Sequence, residues 1–232
     1  MLISRTVNPF ICVTAILTFF CSAIYGDEVR CKQLMEAGAQ AMGRSDYAEA
    51  AKAFEAAVKE AKQLGPENLF LGNTLFALGT AYYGQNRFEE AWPLLSQGLA
   101  IGENRLGTNN THVADAMNTL AVMYIACKKY PEAENLLSRA LFAQEKIAGK
   151  EDPNVARILS NIVEIYYSQG KYLKAKSLCE RILLIDEHAF GPNDVHVAND
   201  CISYADVLRK MGRQSDAVKY EAKARTIKNH QQ

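Results

Sequence analysis

The chain has 232 residues, 49% hydrophobic and 22% charged, which is enough apolar material for a packed core and too much for a disordered chain. Lys+Arg and Asp+Glu stand at 26 each, a formal net charge of zero that argues against a nucleic-acid binder, which needs a basic surplus to displace counterions. Six cysteines exclude a disulfide-dense scaffold, and four histidines leave little material for a histidine-based metal or catalytic centre.

Residues 1–26 read as an address. Arg5 precedes any acid, an apolar run extends from Phe10 to Phe20, and small residues follow at Cys21-Ser22-Ala23 and Gly26. This order predicts a secretory signal peptide cleaved after Ala23 or Gly26, and hence an exported protein, periplasmic or secreted. Extending the run to Tyr25 gives 16 residues, roughly 24 Å as a helix against about 30 Å of hydrocarbon, so an uncleaved membrane tether is a short alternative. Membrane attachment is expected only if the segment is retained. A lipid anchor at Cys21 fits poorly behind the bulky Phe19-Phe20 pair.

From residue 27 the chain repeats itself. Gly65, Gly107, Gly149 and Gly191 are spaced by 42 residues, and each is followed three places later by Asn68, Asn110, Asp152 or Asp194. Ladders of the same period run through Gly79, Ala121 and Ala205, through Tyr82, Tyr124 and Tyr166, through Phe88, Tyr130 and Tyr172, and through Ala91, Ala133, Ala175 and Ala217. Glycine supplies the left-handed residue that ends a helix, and Asn or Asp accepts backbone N–H groups at the start of the next. Pro153 suits a first helical position, where its missing N–H costs nothing.

Between these marks the apolar residues recur at helical spacing. The unit at 111–148 reads Met117, Leu120, Ala121 and Tyr124, then, after Lys128-Lys129, Ala133, Leu137 and Ala140. That pattern is a hairpin of a helix A and a helix B, in which small residues let the two backbones approach. Gly38, Tyr47, Ala50, Phe54 and Ala57 fit an earlier unit, one residue short of the period. Five hairpins are predicted, at about 28–64, 69–106, 111–148, 153–190 and 195–228, in one array over 27–229. Pro93 falls inside helix B of the second unit and predicts a kink or loosened turn near Glu89–Pro93. In the last unit Glu221 replaces the apolar residue found at Phe54, Leu95, Leu137 and Cys179, as a solvated terminal cap requires.

A small residue, an aromatic, then Ala-x-x-x-(Phe/Leu)-x-x-Ala resembles the tetratricopeptide repeat (TPR). The longer period, and segments such as GTNNTHVADAMNTLAVMYIACKKYPEAENLLSRAL, are similar to the kinesin-light-chain-type subclass. The resemblance covers about 28–228; it weakens in the last unit, where Gln214 replaces the aromatic and Leu208 the tyrosine. It implies an all-α, right-handed α-solenoid of antiparallel hairpins whose A helices line a concave groove for an extended peptide or a partner helix.

By that resemblance the groove residues are Asn73, Phe76, Thr80 and Tyr83 in the second unit, and Asp115, Asn118, Val122 and Ile125 in the third. The fourth gives Arg157, Ser160, Glu164 and Tyr167, with Asn161 one place off, and the fifth Asn199, Ile202, Asp206 and Arg209. Asn and Ser hydrogen-bond a peptide backbone in both senses, and Phe76, Tyr83 and Tyr167 offer apolar anchors.

Chemistry-bearing motifs are sparse. HExxH, GxSxG, a phosphate-binding glycine loop and paired CxxC are all missing, so no catalytic residue, cofactor site or metal site is expected. His112 and His196 lie 84 residues apart at equivalent helix entries, too distant along an array to share a metal, and His188 sits near a B-helix end. Cys179 and Cys201 fall on neighbouring helices; either a disulfide or two small buried hydrophobes is open, the second being the commoner arrangement. Asn109-Asn110-Thr111 is a glycosylation sequon in a loop. The expected function is a non-enzymatic interaction scaffold for a protein or peptide partner; the alternative is an assembly or oligomerisation subunit of an envelope or secreted complex.

Overall fold

A computed structural model describes residues 28–229, so the signal-peptide reading and its alternatives lie outside the described residues. Among those residues there are ten helices and no strand. They are α1 (Glu28–Gly43), α2 (Tyr47–Gln63), α3 (Leu69–Gly84), α4 (Phe88–Leu106), α5 (Thr111–Ala126), α6 (Tyr130–Ala148), α7 (Pro153–Ser168), α8 (Tyr172–Phe190), α9 (Val195–Lys210) and α10 (Gln214–Asn229). Two compact units are formed, one ending at Met123 and the other beginning at Tyr124, within α5. In the first, α1 packs on α2, α2 on α3 and α3 on α4; in the second, α6 packs on α7, α7 on α8, α8 on α9 and α9 on α10.

Local chemistry sets the helix boundaries. The side chains of Asn68, Asn110, Asp152 and Asp194 accept the N–H of Phe70, His112, Asn154 and His196 at 2.7, 2.9, 2.9 and 2.7 Å. Helices α4, α6 and α8 end at Gly107, Gly149 and Gly191, with φ of 80, 91 and 88°. Each of these glycines returns its N–H to the carbonyl of Glu103, Glu145 or Glu187.

The turns inside the hairpins follow a second rule. Ser45, Asn86, Lys128, Gly170 and Gly212 all adopt positive φ, at 59, 61, 58, 71 and 77°. The N–H of the residue after each one bonds a carbonyl five places back: Asp46 to Ala41, Arg87 to Tyr82, Lys129 to Tyr124, Lys171 to Tyr166 and Arg213 to Leu208, at 2.8–2.9 Å. One left-handed residue thus closes every turn, whatever its side chain.

The core lies where the repeat spacing predicts. Phe54, Leu95 and Leu137 are fully buried and Cys179 is 3% exposed, while Ala50, Ala91, Ala133, Ala175 and Ala217 all have zero exposure. The small residues permit close helix approach: a Cβ on Gly79 would stand 2.7 Å from Leu95 Cγ and 3.0 Å from the Ala91 carbonyl oxygen. Helix α4 runs through Pro93 without a break, although Pro93 has no N–H to offer the Glu89 carbonyl. In α10 only Ala217, Ala224 and Ile227 are buried, and Glu221 forms an ion pair with Arg209 of α9.

Candidate partner-binding faces

In the unit ending at Met123, helix α3 is buried on most of its surface. Of its four predicted groove residues, Phe76 and Thr80 are buried, and the Thr80 hydroxyl donates to the Phe76 carbonyl at 2.8 Å, so its proton is already committed. Asn73 and Tyr83 are half-buried. Tyr83 belongs to an aromatic cluster, its ring centroid 5.4 Å from Phe88 and 6.0 Å from Trp92. On α5, Asp115 and Val122 are half-buried while Asn118 is 1% exposed.

Asn73 and Phe76 also border a small cleft of about 30 Å³, shared with Gly98, Gly102, His112 and Val113. Gly102 in its lining stands where later repeats carry Gln144 and Asp186. Gln144 is buried and donates to Asp152 at 3.1 Å.

In the unit from Tyr124 onward, Arg157, Ser160, Glu164 and Tyr167 of α7 and Asn199, Ile202 and Asp206 of α9 are half-buried. Arg209 is exposed, whereas Asn161 is 5% exposed and Ile125 6%. Charges are distributed unevenly along this face. Arg209 donates to Asp206 at 2.7 Å and also pairs with Glu221, so one guanidinium serves two carboxylates. Glu164 has no hydrogen bond or ion pair among the described residues, and burial pushes its carboxyl above the usual range. Tyr167 is raised by burial first and then by the negative charge of Asp206, and its ring meets Tyr172 edge-on at 5.6 Å.

Sequence position does not reveal Arg209–Glu221 as a bridge from α9 to α10, because the pair forms between helices rather than along one. The aromatic triad of Tyr83, Phe88 and Trp92 is signalled only by the clustering of aromatics at one hairpin tip.

The remaining candidates are also placed. His196 Nδ1 lies 2.6 Å from Asp194 and its ring stacks on Phe190 at 4.6 Å, at the entry to α9. Cys127, Cys179 and Cys201 are free thiols, and the Cys31 thiol donates to the Ala57 carbonyl at 3.7 Å. Burial pushes Cys179 up to about 12 and Cys201 up to about 11. Asn109 is exposed in the loop between α4 and α5. Among the described residues no group of three His, Cys, Asp or Glu side chains is arranged to hold a metal ion, and no helix is long and apolar enough to cross a membrane.

Comparison with known proteins agrees with this geometry. The chain is similar to BtubC (BKLC) of P. vanneervenii at 20% identity, covering 97% of this chain and 91% of that one with a TM-score of 0.78. It is also similar to a putative kinesin light chain of Podosopora anserina with nearly identical TPR-like repeats, at 21% identity, 90% and 99% coverage and a TM-score of 0.79. The MamA protein follows at 20% identity, 86% and 92% coverage and a TM-score of 0.61. No curated protein matches the chain. The family model described as tetratricopeptide repeat matches residues 32–104, 112–176 and 155–230. With capped hairpins, a small-residue interface between A and B helices and a match over most of its length, the chain is an all-α solenoid protein that belongs to the tetratricopeptide-repeat family.

Proposed function

We propose that this protein is a non-enzymatic scaffold that holds a segment of a partner protein against the exposed parts of its A helices. The observation that carries the reading is the run of half-buried polar and aromatic side chains on those helices. Asn73 and Tyr83 supply it in one unit; Glu164, Tyr167, Asn199 and Asp206 supply it in the other. Such a mixture of amide donors and acceptors with rigid rings suits an extended peptide, whose backbone needs hydrogen bonds and whose side chains need anchors. Family membership supports it as well, since repeat solenoids characteristically present surfaces to other proteins. Export, cued by the N-terminal segment, is part of the proposal. N-terminal mass determination of the cell-derived protein should give a chain beginning at Ile24 or Asp27, and a chain that retains the apolar run from Phe10 to Phe20 would contradict cleavage.

The test uses the half-buried positions, because Asn118 and Asn161 are buried and their loss would disturb packing. Replacing Asn73, Tyr167 and Asn199 together by Ala should abolish co-purification of a partner from the source cell while leaving helicity intact. Unchanged capture would refute the assignment.

A second reading rests on a different surface. Phe142 of α6 and Leu184 of α8 are 60% and 69% exposed at equivalent repeat positions, and Leu173 is 74% exposed. Outward apolar residues at a repeated position suit an assembly subunit. Light scattering separates the two readings, since a stable oligomer without any partner favours the second.

A further inference from the structure

The repeat itself shows how an acidic residue on an A helix is satisfied. In α9, Asp206 is paired by Arg209, three places on, at 2.7 Å. One repeat earlier, in α7, Glu164 occupies the place of Asp206, and Tyr167 occupies the place of Arg209. The carboxylate is retained and its cation is not. Nothing else among the described residues takes over: Glu164 is half-buried with no ion pair or hydrogen bond. On α9 itself Arg209 is shared by Asp206 and Glu221, leaving that trio one negative charge in excess.

We infer that the face of α7 and α9 around Glu164 accepts a basic side chain, arginine or lysine, from an extended partner segment. The incoming cation takes the role at Glu164 that Arg209 plays at Asp206. Tyr167 flanks the position with an aromatic ring, which attracts a cation over its face and packs the methylene stem of a long basic residue. Partial withdrawal from water strengthens this attraction relative to an exposed surface pair, and an unpaired acid in that setting favours any ligand that neutralises it. The inference rests on the groove reading above and specifies the partner's chemistry: a basic segment and not an acidic one.

The test uses four pools of acetylated, amidated nine-residue peptides that are randomised except for a central arginine, lysine, citrulline or glutamate. Binding to the purified chain is followed by fluorescence polarisation. The arginine and lysine pools should bind about tenfold more tightly than citrulline, with glutamate weakest. Glu164→Gln should erase that preference. Tyr167→Arg, which rebuilds inside α7 the pair seen in α9, should erase it too, and circular dichroism verifies that both variants fold. Equal binding of all four pools, or a basic preference that survives both substitutions, overturns the inference and leaves the groove reading standing. Failure of every pool to bind overturns both.

Discussion

Arg181 of α8 donates to Glu145 of α6 at 2.6 Å, and one repeat later Lys223 of α10 pairs with Glu187 of α8. Successive B helices are therefore tied by the same bridge at the same register. Arg181 also donates to the Lys150 carbonyl at 3.1 Å, which links the bridge to the loop before α7. The side chains keep 34% and 22% exposure, so the pair is screened. A double-mutant cycle of Arg181→Ala and Glu145→Ala should give a coupling of about 0.5–1 kcal/mol at low salt, shrinking toward zero near 1 M NaCl. A coupling insensitive to salt would mean that the contact acts through packing instead.

Two glycines of α4 should respond in opposite directions. A Cβ on Gly98 would stand 2.6 Å from the Gly72 carbonyl oxygen and 2.9 Å from the Phe76 nitrogen, both backbone atoms that cannot step aside. Gly98→Ala should therefore cost about 1–3 kcal/mol by forcing α3 and α4 apart. On Gly102 the nearest atom is Val113 Cγ2 at 3.7 Å, an ordinary contact. Gly102→Ala should stabilise by about 0.5–1 kcal/mol through helix propensity and fill part of the small cleft. Urea denaturation of the two variants checks both signs.

The hairpin turns give a third contrast. Gly170 and Lys128 occupy the same left-handed position in consecutive repeats, with φ of 71 and 58°. Gly170→Ala should destabilise by about 1 kcal/mol, because a Cβ is strained there. Lys128→Gly should relieve that strain and be neutral to mildly stabilising. Thermal melts that move both variants in the same direction would contradict the shared turn geometry.

Thiol reactivity separates the cysteines. Cys179 and Cys201 are buried with their thiols pushed up to about 12 and 11, and Cys31 has zero exposure. Cys127 is half-buried and its shift, from partial burial, is opposed by the charge of Lys129. Iodoacetamide at pH 8 should label Cys127 first among these four, with the others reacting only on unfolding. Mass spectrometry of tryptic peptides reads the order, and a Cys179–Cys201 disulfide in protein isolated without reductant would contradict the free-thiol assignment.

Much of the fold is written in the spacing of a few residues. Gly107, Gly149 and Gly191 and the acceptors Asn68, Asn110, Asp152 and Asp194 act through backbone geometry, so residue type and position together announce the helix ends. The turn ladder of Ser45, Asn86, Lys128, Gly170 and Gly212 is illegible in sequence, because those residues share a conformation and no side-chain chemistry. The candidate faces are less legible still. A period of 42 places Thr80 and Glu164 at the same repeat position, yet Thr80 is buried and Glu164 half-buried. Covering depends on the size of neighbouring side chains, which position within a repeat does not encode. The bridges between Arg181 and Glu145 and between Arg209 and Glu221 are hidden for a related reason, since each needs two helices to meet before its spacing has meaning.

The scaffold reading is tested most directly by site-specific photo-crosslinking in the source cell. Benzoylphenylalanine at Asn73 or Asn199 reports from the A helices, and at Phe142 or Leu184 from the outward stripe of the B helices. The account predicts one discrete crosslinked partner from Asn73 and Asn199 and none from Phe142 or Leu184; a partner captured only from Phe142 and Leu184 would contradict it.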